Sequence, residues 1–214
     1  MIRLSVYQRV LADMVCDGRR TVSSEELADR AGVNAATVRK DLSFFGSFGT
    51  RGTGYDAAFL AGQIDRAFGA ERDWPVAIVG IGNLGRALAN SESFFARGSR
   101  VAGLFDVDAA VVGTWVRAHR VRHIDDLGTL PPGDQPALGV VATPARAAQL
   151  VADALVAAGV PAILNFAPRV ITAPPHVLVR RVDLSVELQV LAFHLNGAGW
   201  EQPAPDVAVR GRSS

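Results

Sequence analysis

The chain has 214 residues, of which 49% are hydrophobic and 20% are charged, and its 22 basic side chains nearly balance its 21 acidic ones. This composition is typical of a globular protein and excludes a disordered one. The apolar runs fall short of the roughly 18 residues that a membrane span needs, and no secretory signal opens the chain, so we expect a cytoplasmic protein without membrane contact. A net charge of +1 means that any nucleic-acid binding must depend on a local patch.

The cysteine and histidine content argues against metal and disulfide chemistry. Cys16 is the single cysteine, so it forms no internal disulfide and cannot by itself hold a structural zinc ion. We interpret it as a small core residue on the first helix. His119, His123, His176 and His194 do not have metal-ligand spacing, and we interpret them as surface or capping residues. The sequence therefore predicts no metal site.

The character of the chain changes near residues 69–75. Before this point helical patterns end at glycines, and after it short apolar runs alternate with helical patterns, as in βαβ units. We predict an α/β protein in which a winged helix-turn-helix domain (residues 1–74) precedes a Rossmann doubly wound parallel sheet (75–181). A C-terminal helix (182–198) and a tail that we expect to be disordered (199–214) complete the chain.

The first domain contains the sequence signals of a winged helix-turn-helix. After a first amphipathic helix, Ser23 and Glu26 form a capping box that opens a second helix. Asn34 caps a third helix, which we expect over residues 35–45 and which Gly46 ends. Two helices joined by a short turn at this spacing predict a helix-turn-helix. The glycine-rich segment that follows is typical of a β-wing, and a fourth helix leads to the domain boundary.

Polar side chains of the third helix and the wing are candidates for DNA contact. Arg39 can read guanine in a major groove, whereas its polar neighbours can hold phosphates. Arg51, near the tip of the wing, can enter a minor groove or contact the backbone. The local charge is modest, so a winged helix that binds protein, or a simple solvated face, is the alternative. The predicted DNA-binding residues are Thr37, Arg39, Lys40, Ser43, Arg51 and Gly52.

Apolar runs and helical patterns define the second domain. Five strands are predicted over residues 76–79, 100–105, 138–142, 162–165 and 177–179. Helices are predicted from Arg86 to about Ala96, from Pro144 through Leu155 and from Asp183 to about Leu195. The last helix carries a leucine stripe, which is usually a core face. On a terminal helix beyond the last strand it also suits contact with a partner subunit.

The motif Gly80-x-Gly82-x-x-Gly85 follows the first of these strands and opens a helix, as dinucleotide binding requires. Gly80 allows a tight turn, Gly82 lets the main chain approach a pyrophosphate, and Gly85 lets helix and strand pack closely. The helix N-terminus offers free N–H groups to the phosphates. Asp106, at the end of the next strand, would accept hydrogen bonds from the adenosine ribose and repel a 2′-phosphate, which favours NAD(H) over NADP(H). A purely structural glycine turn is the alternative.

Residues 36–55, ATVRKDLSFFGSFGTRGTGY, closely resemble the recognition helix and wing of the Rex family of redox-sensing transcriptional repressors. Further stretches resemble landmarks of that family in the same order, so the resemblance covers nearly the whole chain. These stretches are residues 79–88, 105–108, 143–145, 165–168 and 182–184.

The resemblance implies a redox-sensing repressor that binds double-stranded operator DNA as a homodimer and leaves it when NADH replaces NAD⁺. The C-terminal helix would be domain-swapped, reaching between the two domains of the partner. Asn165 and Phe166 follow a strand end, where ligands of Rossmann domains bind. Together the motif and the resemblance predict these nucleotide-binding residues: Gly80, Ile81, Gly82, Asn83, Leu84, Gly85, Asp106, Thr143, Pro144, Asn165 and Phe166.

The resemblance also implies an allosteric switch. Arg9 and Asp183 match a polar pair whose contact depends on the nucleotide form. The family usually has a tyrosine in this network, where this chain has Ser91. A serine hydroxyl is shorter and lacks the ring, so we expect weaker coupling between nucleotide and DNA affinity than is normal in the family.

Two other functions are consistent with parts of the sequence. A NAD-dependent oxidoreductase with a winged-helix assembly module would need a general acid or base, but there is no Tyr-x-x-x-Lys motif and no lysine after Lys40. His123, near Asp125 and Asp126, is the best remaining candidate and a poor one, so we predict that the protein is not an enzyme. The other alternative is a DNA-binding winged-helix dimer whose nucleotide pocket is degenerate.

Overall fold

The computed structural model describes residues 2–44, 49–50, 54–95 and 98–197. An N-terminal helical domain with a small three-stranded sheet is followed by a domain built on a seven-stranded sheet. The expected end of the third helix at Phe45 and Gly46, the predicted wing residues Arg51 and Gly52, and the predicted tail lie outside the described residues.

The N-terminal domain has the elements of a winged helix-turn-helix. Strand β3 lies between β1 and β2 and is antiparallel to both. The elements are α1 (Ile2–Cys16), β1 (Thr21–Val22), α2 (Ser24–Ala31), α3 (Ala35–Ser43), β2 (Gly49–Thr50), β3 (Gly54–Asp56) and α4 (Ala57–Ala67).

Helix boundaries in this domain follow local capping chemistry. The capping box is confirmed: the Glu26 N–H donates to Ser23 Oγ at 3.0 Å, and the Ser23 N–H donates to the Glu26 carboxylate at 3.0 Å. Asn34 caps α3 by accepting a hydrogen bond from the Thr37 N–H at 2.8 Å. Within the described residues α3 ends at Ser43, so Phe44, which the sequence analysis placed in this helix, lies just beyond it.

The core of the N-terminal domain lies between α1, α2, α3 and α4. Tyr7 and Leu11 of α1 are completely buried there, together with Leu27 of α2 and Leu60 of α4. The expectation that Cys16 is a core residue was wrong. It is the last residue of α1, and its position leaves it exposed.

The second domain alternates strands and helices. Two 3₁₀ helices, Ile124–Thr129 and Pro132–Asp134, connect β7 to β8. The elements are β4 (Trp74–Val79), α5 (Asn83–Asn90), α6 (Glu92–Phe95), β5 (Ser99–Asp106), β6 (Trp115–Val116), β7 (His119–His123), β8 (Leu138–Val141), α7 (Ala148–Ala157), β9 (Ala162–Asn165), β10 (Leu178–Arg181) and α8 (Leu184–Gly197).

The strand order confirms the predicted doubly wound sheet. The order is β10-β9-β8-β4-β5-β7-β6, and every neighbouring pair is parallel except β6 with β7. From β4 the chain adds strands on one side of the sheet, through β5 to β7, and then crosses to the other side to add β8, β9 and β10. The order of the strands therefore switches sides between the parallel neighbours β4 and β8. Ligands of such sheets bind in the crevice at the carboxyl ends of the strands that flank this point.

The single helix predicted from Arg86 to about Ala96 is wrong. Helix α5 begins at Asn83 and ends at Asn90, and the short α6 begins at Glu92. The residue between them, Ser91, explains the break, since its hydroxyl oxygen accepts a hydrogen bond from the Phe94 N–H at 3.2 Å and so caps the new helix.

Pro144 does not open the next helix, contrary to our prediction. Its carbonyl accepts a hydrogen bond from the Ala147 N–H in a turn that precedes α7, which begins at Ala148. The last strand begins at Leu178 and extends two residues beyond the predicted end. The sequence analysis did not identify β1, β6, β7 or the 3₁₀ helices. Strands β1 and β6 have only two residues each, and β7 contains a single apolar residue, Val121, so none of these strands shows an apolar run.

Helix α8 contains no buried residue. Its apolar side chains are not confined to a stripe, and Leu184, Leu188, Leu191 and Phe193 are each at least 60% exposed. The helix is too short to span a bilayer. Among the other helices of the described residues, none combines the length and hydropathy of a transmembrane segment.

Candidate nucleotide site and DNA-facing helix

The predicted nucleotide residues lie at the carboxyl edge of the large sheet. In the register of the sheet, Val79 of β4 lies opposite Phe105 of β5 on one side and opposite Val141 of β8 on the other. Val141 in turn lies opposite Asn165 of β9. The loops that follow these four strands therefore lie side by side. Distant parts of the sequence meet at one edge because parallel strands end together.

Two glycines of the motif are required by the packing of the chain itself. Gly80 has φ +95°, and a Cβ atom there would lie 2.6 Å from Thr143 Cγ2. A Cβ on Gly85 would lie 1.9 Å from the Gly80 carbonyl oxygen, so a side chain would push α5 away from β4. These contacts support the turn and packing roles that the sequence predicted for the two positions.

Gly82 is different, because no contact within the described residues explains it. Its φ of −76° is open to any residue, and a Cβ would meet no atom within 4 Å. No side chain caps the first turn of α5, so the N–H groups of that turn remain available to an anion. Close approach of a ligand is the remaining reason for glycine at this position.

A second observation indicates a missing polar partner at the same edge. The hydroxyl oxygen of Thr143 is buried and has no hydrogen-bond partner among the described residues. Thr143 packs against Gly80, at the base of the glycine loop. Buried hydroxyl groups are normally hydrogen-bonded, so this one is suited to a polar ligand at the loop. The open Gly82 position and the Thr143 hydroxyl together fit a dinucleotide.

The carboxylate of Asp106 organises the glycine loop, a role that the sequence analysis missed. One oxygen accepts a hydrogen bond from the Ile81 N–H at 2.6 Å, and the other accepts from the Val107 and Asp108 N–H groups at 2.7 and 3.0 Å. A carboxylate has about four acceptor positions, so about one remains for a ribose hydroxyl. Asp106 can therefore hold the loop and a ligand together.

Asn165 contributes to the shape of the edge from inside. Its side chain is buried, donating to the Arg169 carbonyl at 2.8 Å and accepting from the Ala167 N–H at 2.9 Å. Its amide is thus already used within its own loop, and Phe166 next to it is half-buried. Pro144 is exposed in its turn.

The other residues of the glycine motif differ in exposure. The side chain of Ile81 is buried in the core, so only its backbone can face a ligand, whereas Asn83 and Leu84 are exposed. In the described residues, no group of three or more His, Cys, Asp or Glu side chains is arranged to hold a metal ion.

The predicted DNA-contacting side chains of α3 have different local partners. Arg39 donates to Ser24 Oγ at 2.8 Å and to the Glu25 carboxylate at 3.0 Å, both in the first turn of α2. Ser43 donates to the Lys40 carbonyl at 2.8 Å. Lys40 is exposed and has no ion pair in the described part of the chain. Thr37 is half-buried, so Lys40 is the cation most available to a phosphate.

One acidic residue of α3 is tied to α1. The Asp41 carboxylate accepts hydrogen bonds from Arg3 Nε at 2.6 Å, from Arg3 Nη2 at 2.8 Å and from the Tyr7 hydroxyl at 2.9 Å. Hydrogen bonding to Arg3 lowers the pKa of Asp41. Burial, with the hydrogen bond to Asp41, raises the pKa of Tyr7 to about 12.

Comparison with known proteins identifies the family. A model described as a putative DNA-binding protein N-terminus matches residues 1–43, and one described as a CoA binding domain matches residues 71–169. The chain is 53% identical over 212 residues to a redox-sensing transcriptional repressor Rex from Streptomyces avermitilis, covering 99% of this chain and 84% of the relative. The chain belongs to the Rex family.

Solved Rex structures have the same fold. RSP, a Rex-family repressor, in complex with β-NAD⁺ and operator DNA gives a TM-score of 0.85 at 33% identity, covering 92% of this chain and 91% of that one. RSP in complex with β-NADH gives a TM-score of 0.84 at 31% identity, covering 92% of both chains.

The single Rex chain does not bring the three predicted switch residues together. Asp183 hydrogen-bonds to Arg181 and Ser185, and Ser91 caps α6. The Arg9 side chain is exposed and makes no hydrogen bond or ion pair with the described residues. A contact between Arg9 and Asp183 would therefore need a rearrangement or a second subunit.

This Rex chain also has an apolar groove on its sheet. The groove has a volume of about 280 Å³ and is lined by neighbouring strands along their length, by residues that include Val76, Val140, Leu164 and Leu178, with Phe94 beside them. Arg180 supplies its charged part. None of the residues 80–85 of the glycine loop lines this groove.

Proposed function

We propose that this protein is a redox-sensing transcriptional repressor that binds operator DNA as a homodimer and leaves it when NADH replaces NAD⁺. The single observation that carries the nucleotide part is the Gly82 position, where glycine is unexplained unless a ligand approaches the loop. The Rex relatives, with RSP complexes of NAD⁺, NADH and operator DNA among them, support the DNA part. The cytoplasm is the proposed compartment.

The nucleotide would lie across the carboxyl edge of the sheet. The free N–H groups at the start of α5 would bind its pyrophosphate, and Asp106 would accept a hydrogen bond from the adenosine ribose while holding the Ile81 N–H. The Thr143 hydroxyl would gain the partner that it lacks. The loop shaped by Asn165 would lie at the nicotinamide end, where the bound dinucleotide presents either a flat cation or a neutral puckered ring.

DNA would be bound by the N-terminal domain. We propose that α3 enters the major groove, with Lys40, Thr37 and Ser43 at phosphates. For Arg39 to read a base, its bonds to Ser24 and Glu25 must open. Arg51 and Gly52 of the wing would contact the backbone or the minor groove.

Dimerisation would use α8. An isolated helix whose apolar side chains are exposed on every side needs a partner, and the apolar groove of a second copy offers one. Glu187, in the first turn of α8, and Arg180 in the groove have opposite charges. We propose that α8 crosses to the partner, as a domain-swapped helix over the predicted residues 182–198.

The response to redox state would be allosteric. NAD⁺ and NADH would have unequal affinity for two arrangements of the dimer, and only one arrangement would match the spacing of the operator half-sites. We propose that the Arg9–Asp183 pair reports which arrangement is present, with Ser91 beside it. The size of the response is limited by the difference in affinity.

The deciding experiment is a titration of operator affinity against the NADH/NAD⁺ ratio at constant total nucleotide. We expect tight binding in NAD⁺ and progressive release as NADH rises. A protein that binds DNA but ignores both nucleotides would instead be the winged-helix dimer with a degenerate pocket, and energy transfer from tryptophan to NADH would be absent. Oxidation of NADH with a panel of carbonyl substrates would support the oxidoreductase.

A further inference from the structure

Asp41 differs from the other polar residues of α3 in being turned toward the domain. Its side chain is only 14% exposed, whereas Arg39, Lys40 and Ser43 are exposed. Among the described residues, the carboxylate accepts three hydrogen bonds, and all come from α1, two from Arg3 and one from Tyr7. An acidic residue thus joins the last turn of the proposed reading helix to α1, which contains none of the predicted DNA-contacting residues.

The geometry of this contact fixes orientation as well as distance. A guanidinium that donates two bonds to one carboxylate restricts the angle between the two groups, which a single hydrogen bond does not. Tyr7 is completely buried in the core, so packing holds its hydroxyl in place. The Asp41 side chain is therefore held by a rigid part of α1, and α3 cannot rotate about its own axis without breaking these bonds.

We infer that Asp41 is a positioning residue for sequence-specific DNA binding: through Arg3 and Tyr7 it holds the rotation of α3 at which its side chains meet base edges. This inference rests on the proposed function, because it needs an operator. Contacts to base edges require accurate placement of the helix, so they depend strongly on a contact that sets its orientation. Attraction to phosphates requires no such accuracy and depends on that contact least.

Charge and positioning predict opposite results when Asp41 is neutralised. Loss of a negative charge from a DNA-facing helix strengthens binding to any duplex if charge alone matters. Loss of the link to α1 weakens binding to the operator while leaving binding to unrelated DNA unchanged or slightly stronger. The sign of the change at the operator therefore separates the two.

The test compares Asp41→Asn with Glu71→Gln as a matched control. Glu71 pairs with Arg66 at an exposed position outside α3, so this variant removes the same charge without touching the proposed reading helix. Affinities are measured in NAD⁺ by fluorescence anisotropy on two duplexes. One is a fragment selected from random DNA by the wild-type protein, and the other is its scrambled counterpart of equal length and composition.

We expect Asp41→Asn to bind the selected duplex about tenfold more weakly and the scrambled duplex no more weakly, so the ratio of the two affinities falls. The control Glu71→Gln should leave both affinities at their wild-type values. Tyr7→Phe, which removes one hydroxyl, should shift the same ratio in the same direction by less. Unchanged or tighter operator binding by Asp41→Asn, or equal weakening on both duplexes, overturns the inference.

Two checks keep the outcomes separate. If circular dichroism shows that Asp41→Asn is unfolded, Tyr7→Phe decides by the same criteria. If the wild-type protein enriches no sequence from random DNA, the proposed function itself fails and the inference falls with it. Enrichment followed by an unchanged ratio in the variants defeats only the inference.

Discussion

The carboxyl edge of the large sheet and helix α8 belong to one domain but differ in what a single chain provides. At the edge, Gly80, Gly85 and Asp106 are already fixed by contacts within the chain. Only two residues separate helix α8 from the last strand of the same sheet, and none of the residues of α8 is buried. One region is organised within the single chain, whereas the other presents apolar surface that the rest of the described chain leaves uncovered.

The difference indicates how the two tasks of a redox sensor are divided. Nucleotide recognition depends on backbone geometry and short-range hydrogen bonds, which one Rossmann unit can supply. Transmission of the nucleotide signal to DNA requires two DNA-binding domains at a set spacing, and one chain supplies only one such domain. We therefore expect substitutions in the two regions to separate nucleotide binding from dimerisation.

The largest effect is expected from α8. Replacing Leu188 and Leu191 together with Asp should convert the dimer to a monomer and weaken operator binding by more than about a hundredfold, because two charges would be buried at the interface. NADH binding should change much less, since its site lies within one chain. Analytical ultracentrifugation and calorimetry measure the two quantities.

Leu150→Asp serves as the control for this experiment. Leu150 lies on α7 and is 73% exposed, comparable to the α8 leucines, but it is not part of the proposed interface. It should leave the protein dimeric. A dimer that persists in the α8 double variant would show that the subunits associate through another surface.

The second effect separates two glycines of one motif. Gly85→Ala should lower the free energy of unfolding by about 3 kcal/mol, because its Cβ would overlap the Gly80 carbonyl. Gly82→Ala should unfold like the wild-type protein, since its Cβ meets nothing, and yet bind NADH at least about tenfold more weakly because the methyl group would occupy the space of the pyrophosphate. Thermal denaturation and calorimetry on both variants provide the test; unimpaired NADH binding by Gly82→Ala would remove the main support for the nucleotide site.

A smaller effect is expected at Ser91. Ser91→Tyr should widen the ratio of operator affinities in NAD⁺ and NADH by severalfold, on the order of 1 kcal/mol of coupling, because the ring and hydroxyl could reach the proposed Arg9–Asp183 pair. Both Ser91→Tyr and the control Ser91→Ala remove the cap of α6, so their difference isolates the ring. If the wild-type protein and Ser91→Tyr lose the same operator affinity on NADH, the weaker-coupling hypothesis is wrong.

The smallest effect is a pH dependence at Tyr7. Its pKa is raised to about 12, above the value of about 10 in an unfolded chain, so the folded state holds this proton more tightly. The resulting stability is complete below about pH 10 and is lost as the pH rises toward 12. Denaturant unfolding should show a shallower alkaline loss for Tyr7→Phe than for the wild-type protein or for Tyr55→Phe.

Local sequence determined much of the secondary structure correctly. The capping box at Ser23 and Glu26, the cap at Asn34 and the glycine motif act over three to five residues, so their partners are close in the chain. The doubly wound sheet was also predictable, because alternating apolar runs and helices leave few arrangements. The break at Ser91 was not predicted, although a serine three residues before a helical N–H is a capping signal that could have been recognised.

Several roles became visible only once distant segments met. Nothing near Asp106 in the sequence indicates that it binds the Ile81 N–H, and nothing near Asp41 indicates that it binds α1, since these partners are 25 to 38 residues away. Exposure also depends on neighbours that the sequence does not specify locally, which is why Cys16 was expected in the core and α8 was expected to have one apolar stripe.

The sequence by itself thus determined the order of the elements, the caps and the glycine loop, because these depend on backbone conformation and on hydrogen bonds within a few residues. The tertiary structure decided which glycines are required by packing and which one, Gly82, is left for a ligand to explain. It also decided which carboxylates hold other elements in place and which helix has its apolar side chains exposed. These properties depend on atoms brought together by parallel strands and packed helices, so they exist only when the chain is folded.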